Sequence, residues 1–340
     1  MVSAASGPSA ASIQCGRSEF RSRLHRMAQR FPHGLPTGWF QVARTAELPR
    51  GRVLPLRYFG SDLVLFRTEQ GVPHLLDAFC PHLGAHLGRG GKVVGERLVC
   101  PFHAWEFDGL GRCAAIPSSA RQPPRVGVRC WPLAECNGQL FTWYDRAGRE
   151  PTWTIPTVEE LGAPGWSTPV LRDWHVRTTV QEMAENQVDG SHFRHLHGSP
   201  RSPRTVAEQH GHELRSRSRI ASDTPVGLVE GQVEVISHGL GWATIRHVAN
   251  LETLVIGGST PIDEDHVHLR IAFTARVAEG PRARGVADAF LRGVDLQIEQ
   301  DRPIWENKAY IEHPPLVEGE RAIAVFRAWA RQFYPEPAEP

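Results

Sequence analysis

Apolar residues recur in short runs from Trp39 onward. Trp39–Val42, Val53–Tyr58, Leu63–Arg67, His74–Asp77, Leu98–Cys100 and Gln139–Tyr144 each carry the alternation or compact apolar content of a strand, with Gly- or Pro-bearing turns between them. Such runs predict a small antiparallel β domain over residues 38–150. Upstream, residues 1–17 are small and polar, the composition of a disordered tail. Residues 18–37 hold a short basic helix, Glu19–Arg30, that stops before Phe31-Pro32, together with the segment leading into the first strand.

A Pro-rich connection, Glu150 to Pro164, opens a second domain over 151–340. Here a strand-like run, Trp174–Val180, precedes a helix candidate, Gln181–His195. Alternating runs follow at Val233–Ile236, Ala243–His247, Leu251–Ile256 and His266–Arg276. A long helix, Ala287–Tyr310, and a shorter one, Arg321–Phe333, complete the pattern. Strands flanked by helices place the chain in the α+β class.

With 340 residues, 41% hydrophobic and 22% charged, the chain can bury a substantial core. Its formal charge is +1 and no basic run stands out, which argues against nucleic acid as a partner. No stretch reaches the roughly 18 uninterrupted apolar residues of a membrane span. The expected location is therefore the cytoplasm, although five Arg against the lone acid Glu19 in residues 1–30 faintly resemble a transit peptide. Six Cys are too few for a disulfide scaffold, so a Cys with chemistry is a metal ligand or a reactive thiol.

Cys80-Pro81-His82 and Cys100-Pro101-Phe102-His103 pair Cys with His twice, each pair in a turn between strands. Two loops could thus pinch one site. These residue types allow a closed tetrahedral zinc site or a two-iron, two-sulfide cluster with both Cys on one iron and both His on the other. Chance placement in a core is the third reading. Spacing alone does not separate zinc from the cluster. Cys15, Cys113, Cys130 and Cys136 form no CxxC and read as small apolar side chains. His86 reads as structural.

The second constellation lies at the helix candidate, where Asp189, His192 and His197 give D-x-x-H-x-x-x-x-H. On one continuous helix Glu185, Asp189 and His192 share a face, whereas His197 lies roughly 140° away. For both imidazoles to meet one ion the helix must bulge or end, and Gly198 with Pro200 supplies an ending. A ferrous oxygenase site needs two His and one carboxylate with open positions beside them. In the helix Ala287–Tyr310, Ala287, Phe290, Leu291, Val294, Ile298 and Trp305 form one apolar stripe, and Asp301 falls about 20° from its centre. A carboxylate in a buried stripe costs several kcal/mol unless paired or bound to a metal. Asp301 is therefore the candidate, with an ion pair to Lys308 or Arg302 as the competing explanation. Asp288, Asp295, Glu299 and Glu306 lie on the side expected to be wet.

The stretch FCPHLGAHLGRGGKVVGERLVCPFHAWEFDGLGRC, with Gly84 after the first His and Trp105 and Phe107 after the second, resembles the Rieske cluster-binding region. With FPHGLPTGWF, ENQVDGSHF and DRPIWENK, the chain resembles the Rieske non-haem iron oxygenases from about Phe31 to Tyr334. The branch nearest in pattern holds 3-ketosteroid 9α-hydroxylases and cholesterol 7-desaturases. The resemblance implies that Cys80, His82, Cys100 and His103 hold a [2Fe-2S] cluster and that His192, His197 and Asp301 ligate a mononuclear Fe(II). It further implies that Asp189 links this site to the cluster, that Asn186 sits near the metal, and that the second domain is a catalytic domain of helix-grip type. O2 would be the co-substrate, with electrons from NAD(P)H through a separate ferredoxin or flavin-containing reductase. A homotrimer arranged head to tail and a polycyclic apolar substrate, steroid or sterol, are expected. The alternatives are an aromatic or alkaloid-like substrate, a stand-alone Rieske electron carrier, or a zinc-dependent binding module.

Overall fold

The computed structural model describes residues 31–119, 125–224, 227–249, 251–276 and 281–335. The helix expected over Glu19–Arg30 lies outside the described residues. In the first half, strands run Gly38–Arg44 (β1), Val53–Tyr58 (β2), Ser61–Arg67 (β3), Pro73–Asp77 (β4), Lys92–Val94 (β5), Arg97–Val99 (β6), Glu106–Phe107 (β7), Cys113–Ala115 (β8), Cys130–Trp131 (β9), Leu133–Cys136 (β10) and Gln139–Tyr144 (β11). They form three antiparallel sheets, ordered β1-β11-β10, β2-β3-β4-β9 and β5-β6-β7-β8. Strand β3 shows why this half folds as it does. Leu63, Val64, Leu65 and Phe66 are all fully buried, and the period-two alternation sends Leu63 and Leu65 into the main core but Val64 and Phe66 beneath the Cys-His loops. Each such side chain contributes about 1.5–3 kcal/mol by leaving water.

The second half contains Val170–Val176 (β12), the short helices Val180–Glu185 (α1) and Ser191–His195 (α2), and then Arg204–His210 (β13), Glu213–Thr224 (β14), Gly227–His238 (β15), Trp242–Val248 (β16), Glu252–Pro261 (β17) and Val267–Ala275 (β18). Pro281–Asn307 (α3) and Arg321–Ala330 (α4) follow. The seven strands make one antiparallel sheet in the order β12-β18-β17-β16-β15-β14-β13. Because β12 pairs with β18 rather than with its successor, α1 and α2 carry the chain from one edge of the sheet to the other. Strands flanked by helices are what the pattern predicted, and one antiparallel sheet is what the resemblance implied.

Four local differences from the sequence-based expectations have physical causes. The run Trp174–Val180 leaves the sheet after Val176, since Thr179 caps α1 by accepting the Glu182 N–H at 3.3 Å. The single helix Gln181–His195 is two helices. The long helix stops at Asn307 rather than Tyr310, although it runs through Pro303. The sequence pattern does not announce β13 and β14, because the outward positions of β14 hold Arg217 and Arg219 while Ser216 and Ser218 share the inward face with Leu214, which reduces the apolar signal to residues such as Leu214. Their pairing comes from the ladder and from opposed charges such as Arg217 and Glu234, 2.8 Å apart on facing positions.

The two halves share one core and a polar seam. Arg44 forks onto Asp173 at 2.8 and 2.9 Å, Arg270 meets Glu47 at 2.9 Å, and the buried Tyr58 hydroxyl lies 2.7 Å from His268 Nδ1.

Candidate active site

The two Cys-His segments fold as matched loops. The Cys80 N–H bonds the Ala85 carbonyl at 2.9 Å and the Cys100 N–H bonds the Trp105 carbonyl at 2.8 Å, five residues on in both cases. Each Cys carbonyl in turn accepts the N–H four residues on, from Gly84 at 2.9 Å and Ala104 at 3.2 Å. That fourth position has positive φ in both loops, +73° at Gly84 and +57° at Ala104. Glycine adopts this conformation freely, whereas Ala104 bears about 1–2 kcal/mol of strain that the tight loop imposes.

Both thiols are buried and both imidazoles are exposed. The His82 and His103 rings lie 4.7 Å apart, and Trp105 stacks on His82 at 4.6 Å with 6° between planes. Burial pushes the Cys80 thiol up to about 11, so a thiolate there needs a cation beside it. Buried sulfur on one side and exposed nitrogen on the other suit a cluster whose two irons have different ligands. His86 shapes the turn instead, its Nδ1 accepting the Gly88 N–H at 3.0 Å. Cys113, Cys130 and Cys136 are free and partly buried.

At the second constellation the chain breaks between α1 and α2 over Asn186–Gly190. Gly190 permits the break: a Cβ there would stand 2.2 Å from the Pro203 carbonyl oxygen. One consequence is that Glu185 does not share a face with Asp189 and His192, and turns to Arg327 of α4 at 2.6 and 2.9 Å. A second is that Asp189 opens α2, with Oδ1 accepting the Ser191 N–H at 2.9 Å. Helix α2 ends at His195, and the turn that follows brings the His197 ring to 5.0 Å from that of His192.

One ligand atom each from His192, His197 and Asp301 lies within 4.8 Å of the others. His197 presents Nε2, 3.3 Å from Asp301 Oδ1, while its Nδ1 lies 2.9 Å from Gln300 Oε1. His192 presents Nε2 toward Asn186 Nδ2 at 3.3 Å, and its Nδ1 faces Asp189 Oδ2 at 3.5 Å. The Asn186 amide also donates to Asp301 Oδ2 at 3.1 Å. Gln300 fixes the orientation of the His197 ring, whereas Asp189 faces His192 Nδ1 without hydrogen-bond geometry; both rings present Nε2 on the inward side. Burial alone would push the Asp189 carboxyl up; the neighbouring His192 and two backbone N–H groups outweigh it and hold the carboxyl below its ordinary value. For His197 burial pushes down, and Asp301 with Gln300 raises it overall.

Asp301 is 5% exposed, on the buried face of α3 as its stripe predicted. Its competing partners are engaged elsewhere: Arg302 pairs with Glu306 at 2.9 Å and Lys308 approaches Glu182 at 4.0 Å. Of the acids expected to be wet, Asp295 meets Arg172 and Glu299 accepts from Trp174. The side chain of Asp288 lies outside the described residues. Two contributors are invisible to sequence reasoning. Gln300 sits next to Asp301 but carries no ligand chemistry of its own, and Arg327 lies 142 residues from Glu185. Two nitrogens and a carboxylate with open positions are the donor set of a ferrous oxygenase site.

Compared with known proteins, residues 38–132 match the Rieske [2Fe-2S] domain and residues 142–334 match the 3-ketosteroid 9α-hydroxylase C-terminal domain. A probable 3-ketosteroid-9-alpha-monooxygenase oxygenase component of Rhodococcus rhodochrous is 32% identical over 324 residues, covering 89% of this chain and 81% of the relative. A cholesterol 7-desaturase of Bombyx mori is also 32% identical, over 334 residues, covering 92% and 72%. Among solved structures, dicamba monooxygenase bound to dicamba superposes with a TM-score of 0.70 at 21% identity, covering 87% of this chain and 96% of that one; this likeness shows the fold alone. With both family matches in one chain and relatives 32% identical over most of its length, the protein belongs to the Rieske non-haem iron oxygenases, in the branch of the 3-ketosteroid 9α-monooxygenase oxygenase components and cholesterol 7-desaturases, whose cofactors are a Rieske cluster and a mononuclear iron.

Proposed function

We propose that the chain is the oxygenase component of a steroid- or sterol-oxidising system, and that it hydroxylates or desaturates its substrate with O2 and two externally supplied electrons. The observation that carries this reading is the convergence of His192, His197 and Asp301 within 4.8 Å, in a chain whose relatives are named for steroid and sterol oxidation. The assignment makes Cys80, His82, Cys100 and His103 the cluster ligands and His192, His197 and Asp301 the iron ligands. When bound, the cluster supplies single electrons and the ferrous ion activates dioxygen. The protein does the rest: Asp189 and Gln300 hold the two imidazoles, Asn186 sits between the ligands, and the buried face of α3 keeps the carboxylate from water. Hydroxylation consumes O2, two electrons and two protons to give alcohol and water; desaturation consumes the same and gives an alkene and two waters.

Electrons would come from a ferredoxin or flavin-containing reductase in the cytoplasm. Exposed His82 and His103, flanked by Leu83 at 65% and Phe102 at 61% exposure, form a face suited to a partner. In a homotrimer joined head to tail, that face of one subunit would meet the Asp189 region of the next. The test is a panel of steroids and sterols, aromatic acids and alkaloids, turned over with a surrogate reductase and scored by mass. A steroid or sterol product gaining one oxygen or losing two hydrogens is expected. Product from the aromatic or alkaloid arms alone would overturn the substrate reading.

A further inference from the structure

A second group of metal-ligating side chains lies away from the iron triad. His212 stands in the turn between β13 and β14, Glu213 opens β14, and His238 closes β15. Glu213 and His238 face each other directly across the ladder, and the Gly239 N–H bonds the His212 carbonyl at 2.9 Å. One ligand atom from each of the three lies within 4.8 Å of the others.

The finer geometry also suits an ion. Glu213 Oε1 lies 3.3 Å from His238 Nδ1, the same separation as between Asp301 Oδ1 and His197 Nε2. Two ligands about 2.1 Å from one tetrahedral ion stand about 3.4 Å apart. His238 is 5% exposed, and its buried Nδ1 has Glu213 Oε1 3.3 Å away but out of line for a hydrogen bond, as His192 Nδ1 has Asp189. Such an atom is rare and calls for a partner. Arg215 takes the other Glu213 oxygen at 3.2 Å, leaving Oε1 for the ion. The His212 ring is fixed by stacking on Trp153 at 4.9 Å and 11°. His212 and Glu213 are both partly exposed, which gives an ion a way in. Neighbouring Ser237 bonds Gln187 beside the iron triad, and alternation along β15 turns His238 to the opposite face of the sheet.

We propose that His212, Glu213 and His238 form a second site for a divalent metal ion, zinc by its two imidazole and one carboxylate donors with water as the fourth ligand, and that the ion pins the β13–β14 turn to the end of β15 against Trp153 of the interdomain connection.

The test uses the holoenzyme with its iron in place. The protein is incubated with zinc, freed of unbound metal, and analysed for zinc and iron in the same sample, with thermal unfolding followed in parallel. Expected are about one zinc per chain with no loss of iron and a higher Tm. Zinc retention should fall at least tenfold in His212→Ala and in Glu213→Gln, with cluster absorption unchanged. His212 lies in a partly exposed turn, so its variant remains informative if replacing His238 prevents folding. No retained zinc, zinc bound only as iron is lost, or equal retention by both variants would overturn the site; retention without a rise in Tm would overturn its structural role.

Discussion

Asp189 Oδ2 stands 3.5 Å from His192 Nδ1 while its Oδ1 accepts the Ser191 N–H at 2.9 Å. One carboxylate thus starts the helix that carries His192 and also faces the back of the imidazole ring. The helix start needs only an oxygen acceptor, whereas holding the imidazole N–H toward an acceptor favours a charge.

Asp189→Asn separates the two. The amide retains an acceptor for Ser191 but loses the charge toward His192. Cluster colour, iron content and oligomeric state should be retained while turnover falls at least about 10-fold, the lower bound of such outward-partner effects. Oxygen uptake with a surrogate reductase measures this; normal turnover would show that the Asp189 charge toward His192 has no part in turnover.

Gln300→Leu deprives His197 Nδ1 of its acceptor at 2.9 Å. Affinity for ferrous iron should drop about 10–100-fold with the cluster untouched. Iron titration followed by metal analysis checks it, and Gln300→Glu, which restores an acceptor, should recover most of the loss.

The two iron sites should be separable by single substitutions. Cys100→Ser or His103→Ala should abolish the red-brown cluster absorption, whereas Asp301→Ala should leave that absorption intact and remove the mononuclear iron, with turnover lost in every case. If Asp301→Ala keeps its full iron content, the carboxylate ligand lies elsewhere, and Glu299 or Asp295 becomes the candidate.

His268 ties acid sensitivity to the seam between the halves. Burial, then Arg270 and His175, lower it from 6.5 to about 4, while Tyr58, Asp173 and Arg44 complete its surroundings. The folded value lies below the unfolded one, so the unfolded chain takes up the proton more readily. The stabilisation is complete above pH 6.5 and is lost as pH falls toward 4, on the order of 3 kcal/mol. Denaturant unfolding between these limits should show the slope, and His268→Gln should flatten it.

Arg327→Met leaves the Glu185 carboxylate, 11% exposed in its side chain, without the guanidinium 2.6 Å away. Removing one partner of a largely buried pair costs about 3–5 kcal/mol. The loss should appear as a lower midpoint in denaturant, and adding Glu185→Gln should recover part of it.

Chemistry confined to short stretches was legible in the chain itself. Two Cys-His turns between strands, two imidazoles within six residues, and an acid centred in an apolar helical stripe are local facts of spacing and periodicity, and the structure places Asp301 on the buried face its stripe required. The period-two runs likewise announced the antiparallel strands whose cores they fill. The tertiary structure decided what depended on a distant neighbour. Helix propensity favoured one helix through Glu185 to His195; the carbonyl of Pro203, pressing on Gly190, accompanies a break there and so set which way Glu185 and Asp189 face. Strands β13 and β14 lack an apolar rhythm and exist because a ladder supplies their partners. Gln300 acquires a role only because α3 lays it beside His197, 103 residues away. His212, Glu213 and His238 meet only because one ladder's register sets position 213 against 238. A sequence records periodicity at the scale of a turn or a pleat, whereas these pairings arise from long-range packing that no local pattern encodes.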